Sequence, residues 1–274
     1  DELLLFEGEF VDGKKQGKGK EYYKNNNLKF EGEYLNGKKW NGKGYNINKL
    51  QKFELKEGKG IIEEYDDNGK LLFSGEYLYG ERNGKGKAYY NNGITKFEGE
   101  YLNGRMWNGK GYNIKGKLIF EIKQGKGFII EYRNYSGKIQ FEGQYINGLR
   151  NGKGKEYNTE NVCLAYEGEY FNGERNGEGK EYNHYAILQF EGQFLCGKKW
   201  NGKGYEPLSN NIAYELLGGR GFIKEYFDSN TLEYEGGYLN GERNGKGKQY
   251  YDVQSHRIKF EGEYLDGLKW NGII

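Results

Sequence analysis

The sequence predicts an all-β protein, an elongated single-layer antiparallel array of β-hairpin repeats. Three observations predict it. An aromatic-Glu-Gly-Glu-aromatic motif recurs: "FEGEF" at 6, "FEGEY" at 30, "FSGEY" at 73, "FEGEY" at 97, "FEGQY" at 141, "YEGEY" at 166, "FEGQF" at 190, "YEGGY" at 234 and "FEGEY" at 260. Shorter relatives begin at Phe53, Phe120 and Tyr214, so that twelve anchors follow one another every 20 to 26 residues, the period of a repeat architecture. Finally, 47 of the 274 residues are glycine and one is proline, while 17% are aromatic. Disordered chains share the glycine but lack the rings.

Three kinds of repeat alternate. A plain repeat reads "FSGEYLYGERNGKGKAYY" (73–90), a Trp repeat "FEGEYLNGKKWNGKGY" (30–45), and a short repeat "FELKEGKGIIEEY" (53–65). The cycle plain, Trp, short starts at Phe6, Phe73 and Tyr166. Phe141 adds one plain repeat, and the last cycle, from Tyr234, stops after its Trp repeat. The steps from Phe6 to Phe73 (67 residues), Phe73 to Phe141 (68) and Tyr166 to Tyr234 (68) agree.

Each unit reads as a hairpin. Alternation places Phe30, Gly32 and Tyr34 on one face and Glu31 and Glu33 on the other. Asn36-Gly37 turns the chain, and the returning strand carries Gly42 and Gly44 on one face with Lys43 opposite. Glycine within a strand marks a close approach, so aromatic rings are expected over these gaps. The expected repeat core is Phe30, Gly32, Tyr34, Gly42, Gly44, Phe73, Gly75, Tyr77, Gly84, Gly86, Phe97, Gly99, Tyr101, Tyr166, Gly168 and Tyr170. Glu33 and Lys43 are expected as cross-strand partners on the other face. Turn signals such as "NNG" (91–93) and "DDNG" (66–69) join the hairpins. Residues 1–274 then form one continuous antiparallel meander of about twelve repeats, each packed on its neighbours. Residues 1–6, "DELLLF", read as the tail of a short repeat, and 271–274, "NGII", stop within a hairpin. The reading is a segment of a longer protein, or one that associates through its strand edges.

All four tryptophans, Trp40, Trp107, Trp200 and Trp270, occupy one slot. Trp repeats have four residues between Gly37 and Gly42, where plain repeats have three between Gly80 and Gly84. The sequence therefore predicts that the indole accompanies an inserted residue, a bulge or widened tip. Short repeats lack the tip, and the indole is expected to fold over the space they leave. Lys38, Lys39, Trp40, Arg105, Trp107, Lys198, Lys199, Trp200, Lys269 and Trp270 form a candidate interaction edge. Paired lysines beside an interfacial aromatic suit a phospholipid surface, but strand twist would turn successive indoles in different directions.

Charge is high and balanced, 42 basic against 40 acidic residues, so no global field draws nucleic acid. Cys163 and Cys196 match neither a metal spacing nor a disulfide framework. Histidine is restricted to His184 and His256, and the Gly-x-Gly pairs lack the Lys-Ser/Thr of a phosphate loop. No catalytic constellation, metal or cofactor is expected.

The chain resembles the MORN family (membrane occupation and recognition nexus), whose repeat is an aromatic-x-Gly unit closed by Gly-x-Gly. "YEGEYFNGERNGEGKEY" (166–182) fits it closely, and the short repeats at 53, 120 and 214 depart from it by losing the tip. The resemblance implies a MORN-type, solenoid-like twisted sheet without enzymatic activity of its own. It also implies roles as scaffold, oligomerising rod or membrane-contact element. The expected function is a cytoplasmic, non-enzymatic protein-protein interaction scaffold, with membrane or cytoskeletal association in view. It would engage a protein partner or a second copy through its concave face or its ends. The alternative is a peripheral phospholipid (phosphoinositide or phosphatidic acid) binding module. A carbohydrate-binding array, the third reading, fits the Glu/Lys-rich faces poorly.

Overall fold

The computed structural model describes residues 4–227, 229–252 and 257–273. Residues 1–3, His256 and Ile274, which enter the sequence reading, lie outside the described residues. Among the described residues every regular element is a β-strand. The chain forms two compact units: residues up to Gly137 with Tyr145–Leu149, and Lys138–Gln144 with Arg150 onward.

The first unit holds β1 (Phe6–Val11), β2 (Lys14–Tyr22), β3 (Leu28–Leu35), β4 (Lys38–Tyr45), β5 (Gln51–Leu55) and β6 (Gly60–Tyr65). It continues with β7 (Leu71–Leu78), β8 (Glu81–Tyr89), β9 (Thr95–Leu102), β10 (Arg105–Tyr112), β11 (Leu118–Ile122) and β12 (Gly127–Tyr132). Strands β13 (Ile139–Ile146), β14 (Leu149–Tyr157), β15 (Leu164–Phe171), β16 (Glu174–Tyr182), β17 (Leu188–Leu195) and β18 (Lys198–Tyr205) follow. The second unit ends with β19 (Ile212–Leu216), β20 (Gly221–Tyr226), β21 (Leu232–Leu239), β22 (Glu242–Tyr250), β23 (Ile258–Leu265) and β24 (Leu268–Ile273). Neighbours in sequence are neighbours in space, and pairing is antiparallel throughout.

The expected single meander is instead cut at every short repeat. Strands β5 and β6 end separate sheets, as do β11 and β12, and β19 and β20. Only an isolated bridge at the turn joins each pair: Lys56 with Lys59, Lys123 with Lys126, Leu217 with Arg220. A hairpin this short carries its inward side chains, Leu55 and Ile62, into the core at 1% and 2% exposure. Filling that space turns the two strands away from a common ladder.

The ring face follows the alternation read from sequence. Phe30, Phe73, Phe141, Tyr166, Phe190 and Tyr234 are fully buried. Each of these six rings lies over two facing glycines. A Cβ on Gly86 would stand 2.6 Å from the Phe73 ring, and one on Gly42 2.8 Å from that of Phe30. A second ring from the next repeat meets the anchor edge-on, Tyr34 on Phe6 at 5.4 Å and Tyr101 on Phe73 at 5.2 Å between centroids. Gly84 departs from this scheme. It lies at φ +99° beside the Glu76 carboxylate, not under a ring.

Register corrects two expectations. Glu33 faces Asn41, whose amide donates to it at 2.7 Å, while Lys43 faces Glu31 and Glu54. The Trp repeat is also one residue shorter than the plain repeat, not longer. From the base of the tip to the residue opposite the anchor ring takes seven steps in the plain hairpin, Glu81 to Ala88. In the Trp hairpin it takes six, Lys38 to Gly44. The two Gly-x-Gly motifs are out of phase: Gly42 pairs with Gly32 as Gly86, not Gly84, pairs with Gly75. The plain hairpin therefore carries the larger bulge. There Asn83, Gly84 and Lys85 face Glu76 alone, whose carboxylate accepts the Lys85 amide at 3.0 Å.

A side chain at Gly86 must displace the Phe73 ring. Gly86→Val is expected to cost about 1–3 kcal/mol, read as a lower urea midpoint. An unchanged midpoint would show that the ring does not need the glycine.

Candidate functional site

The ring face is also where the charges are organised. The second residue after each tip glycine sits on the anchor ring of its own repeat and is basic almost throughout. Cation-to-centroid distances are 4.3 Å for Lys15 on Phe6, 4.8 Å for Lys39 on Phe30, 4.1 Å for Arg82 on Phe73 and 4.0 Å for Arg150 on Phe141. They are 4.3 Å for Arg175 on Tyr166, 4.4 Å for Arg243 on Tyr234 and 4.8 Å for Lys269 on Phe260. Carboxylates from the strand before each anchor complete a ribbon. Glu21 takes Lys15 at 2.5 Å and Lys39 at 2.7 Å, and Glu64 takes Arg82 through two bonds of 2.7 and 2.8 Å. In the second unit Arg150, Glu156, Arg175, Glu181 and Lys199 form one unbroken chain of 3.0, 2.6, 2.8 and 2.6 Å contacts. Arg243 is held between Glu225 and Glu233.

These are half-buried ions, and the packing of several charges decides their titration. Burial alone would raise Glu21, but the ammonium groups of Lys39 and Lys15 bring it down to about 2. Lys39 is itself lowered by burial, with Lys15 and Lys29 close by. The pair stays ionised because the carboxylate draws on two cations. Lys199 is raised instead, Glu181 and Glu225 outweighing its burial.

The ribbon is altered at two places: Gln249 replaces the acid opposite Phe260, and the middle cycle departs further. Ala88 stands opposite Phe97 where Glu21 stands opposite Phe30, and Met106 opposite Tyr101 where Lys39 is opposite Tyr34. In the middle cycle acid and base are lost together, whereas at Gln249 a neutral amide takes the acid's place and Lys269 stays on Phe260. A carboxylate left alone under this face would carry an unpaired buried charge, whereas an apolar pair of similar volume is tolerated.

Of the sequence-predicted edge, the structure separates the members. In all four Trp hairpins the indole residue is the unpaired bulge residue. Trp40, Trp107 and Trp200 are half-buried on the short repeat that follows. A Cβ on Gly125 would stand 2.8 Å from the Trp107 ring, and one on Gly219 2.7 Å from that of Trp200. Trp40 also stacks on Tyr79 at 6.5 Å. Its carbonyl accepts the Gly58 amide at 2.6 Å, the Gly58 carbonyl accepts the Gly80 amide at 2.9 Å, and Asn41 accepts the Glu57 amide at 2.7 Å. The same clasp recurs with Trp107 and Gly125 and with Trp200 and Gly219. Trp270 is 71% exposed. The paired lysines diverge. Lys38 and Lys198 span the missing tip to Glu81 and Glu242, each at 2.7 Å, while Lys39 and Lys199 turn onto the ring face. Arg105 sits at a tip and reaches the Asn147 carbonyl at 3.5 Å.

Sequence reading missed Lys15, Arg82, Arg150, Arg175 and Arg243 with their glutamates. The signal was present: a basic residue second after every tip glycine but Gly104, and a recurring Glu-Tyr such as 21–22, 64–65, 156–157, 181–182 and 225–226. Without the register, both look like ordinary surface charge.

The MORN repeat model matches five separate stretches: residues 6–28, 73–95, 141–159, 166–183 and 234–255. It is a MORN-repeat protein. All five stretches are plain repeats; the Trp and short MORN hairpins pair in the same way, with the bulge changed or the tip removed. MORN repeats generally bind membranes or proteins. No curated protein matches the chain at a significant level. Among solved structures, TcdB2-TccC3 without its hypervariable C-terminal region is 11% identical, over 91% of this chain and 17% of that one, with a TM-score of 0.14. Full TcdB2-TccC3 is 10% identical over 93% and 16%, with a TM-score of 0.15. The chain spans about a sixth of the length of those structures, and so slight a likeness carries no argument.

Glu21 titrates below its ordinary value, so it stabilises the fold fully above about 4.5 and progressively less as pH falls towards 2. The gap in urea midpoint between wild type and Glu21→Gln is therefore expected to shrink across that window. A constant gap would refute the ion-pair account. Arg175→Met removes the partner that Glu156 and Glu181 share, leaving them Arg150 and Lys199, and is expected to cost about 1–3 kcal/mol at neutral pH, read as a lower urea midpoint.

Proposed function

We propose that the protein is a non-enzymatic scaffold that binds other proteins along its ring face, in the cytoplasm. One observation carries this reading: four of the six cations that sequence alone would offer to an anionic membrane are committed to carboxylates. Lys38, Lys39, Lys198 and Lys199 each hold a glutamate at 2.6–2.7 Å. A lipid phosphate reaching them would also meet the like charge of the glutamate that each one holds, with no cation of its own to offset it. The ring face, by contrast, presents a ribbon of fixed, alternating charge over aromatic rings, the chemistry of a specific protein contact. Two free cysteines, Cys163 and Cys196, suit a reducing compartment.

Sedimentation with vesicles of phosphatidylcholine containing phosphatidylinositol 4,5-bisphosphate or phosphatidic acid separates this from the lipid reading. At physiological salt the protein is expected to remain in the supernatant with every composition. Binding that disappears in Lys38→Ala with Lys198→Ala would establish the membrane role instead.

A further inference from the structure

Where a hairpin with a full tip follows, the ionic ribbon runs on through an acid held between two cations, as Glu21, Glu156 and Glu181 are. A short repeat interrupts it. Gly44, paired with Phe53, occupies the position that an acid such as Glu21 fills elsewhere, and the missing tip removes a cation. One bank of the interruption ends in the Lys39 ammonium and the other begins with the Glu64 carboxylate. Between them lies a cavity of about 360 Å³, lined also by Tyr45, Phe53, Ile62 and Tyr65. The second unit repeats the arrangement with the same polarity. There Lys199 faces Glu225 across about 230 Å³ lined by Tyr205 and Tyr214, with Lys224, Glu233 and Arg243 on the side of Glu225. Each of the four charges keeps part of its side chain in solvent, between 19% and 29%. The middle cycle differs, with Met106 in place of the lysine and Ala88 in place of the acid behind it.

We infer that each of these two recesses receives an acid-base pair of side chains from a partner protein, its carboxylate on Lys39 or Lys199 and its cation on Glu64 or Glu225. The inserted pair restores the alternation that the short repeat removes. A group of one sign satisfies one bank and meets a like charge on the other, so the recess selects against purely acidic or purely basic segments. The middle cycle, with no cation on its first bank, does not bind in this way.

The assignment rests on the protein-binding reading and is tested separately from it. Twelve-residue synthetic peptides carrying one Glu and one Arg two to four positions apart are titrated calorimetrically against the whole chain. Peptides with two Glu or two Arg at the same spacings serve as controls. The best mixed peptide is expected to bind at two sites per chain, at least tenfold tighter than either control. Lys39→Met with Glu21→Ala copies the natural middle cycle and so keeps the fold, which its unchanged far-ultraviolet circular dichroism would confirm. It should leave one site, and adding Lys199→Met with Glu181→Ala should leave none. Equal binding of single-sign peptides, no saturation by mixed peptides at 1 mM, or unchanged stoichiometry in these variants would overturn the assignment. A protein partner captured equally by wild type and the fourfold variant would also overturn it, while leaving the scaffold reading in place.

Discussion

The structure depends on one stacked contact: an aromatic ring laid over paired glycines on one side and under a cation on the other. A single-layer sheet has no second sheet to bury its face against, and water would reach every backbone bond. Here the ring covers the glycine backbone and the cation covers the ring. Phe73 between Gly75, Gly86 and Arg82 shows all three layers within one hairpin. Replacing the glycines by larger residues would lift the ring. Removing the cation would expose it and strand the carboxylates.

That contact ties neighbouring repeats together as well. The cation of one repeat shares its glutamate with the next, and the second ring of each repeat meets the anchor of the one before. Arg175 on Tyr166 touches Glu156 and Glu181, which belong to strands on either side of it. The outer face contributes less. Its ladders, such as Lys87 with Glu98 at 2.8 Å, are about half exposed, and surface pairs of that kind contribute roughly 0–1 kcal/mol each. Charge balance along the chain thus arises twice over, once as solvated ladders outside and once as a half-buried ribbon inside.

Short repeats show what happens when a layer is missing. Without a tip there is no cation, and the ladder opens at the turn. The preceding Trp hairpin then supplies what the tip would have done. Its bulged indole lies on the short turn, its carbonyl and asparagine hold the turn amides, and its first lysine reaches across to the next plain hairpin. This division of labour explains why tryptophan occupies one slot, and why Trp40, Trp107 and Trp200 each precede a short repeat.

Repeat period, strand identity, ring face and glycine gaps were all legible in the amino-acid order, because alternation by two and recurrence by about 23 are linear properties of the chain. The placement of Phe30, Gly32 and Tyr34 follows from them directly. What only the tertiary structure decided is register. Counting from glycine to glycine made the Trp hairpin look one residue too long. Pairing made it one residue too short, because the ring selects which glycine it sits on, and that choice is made across strands. The same shift moved Lys43 from Glu33 to Glu31 and Glu54. It also turned Lys38 and Lys39, adjacent in sequence and alike in chemistry, to different partners. Arg82, Arg175 and Arg243 read as solvated charges in the chain, and they became the roof of the core because cation, ring and glycine meet only once the strands are aligned.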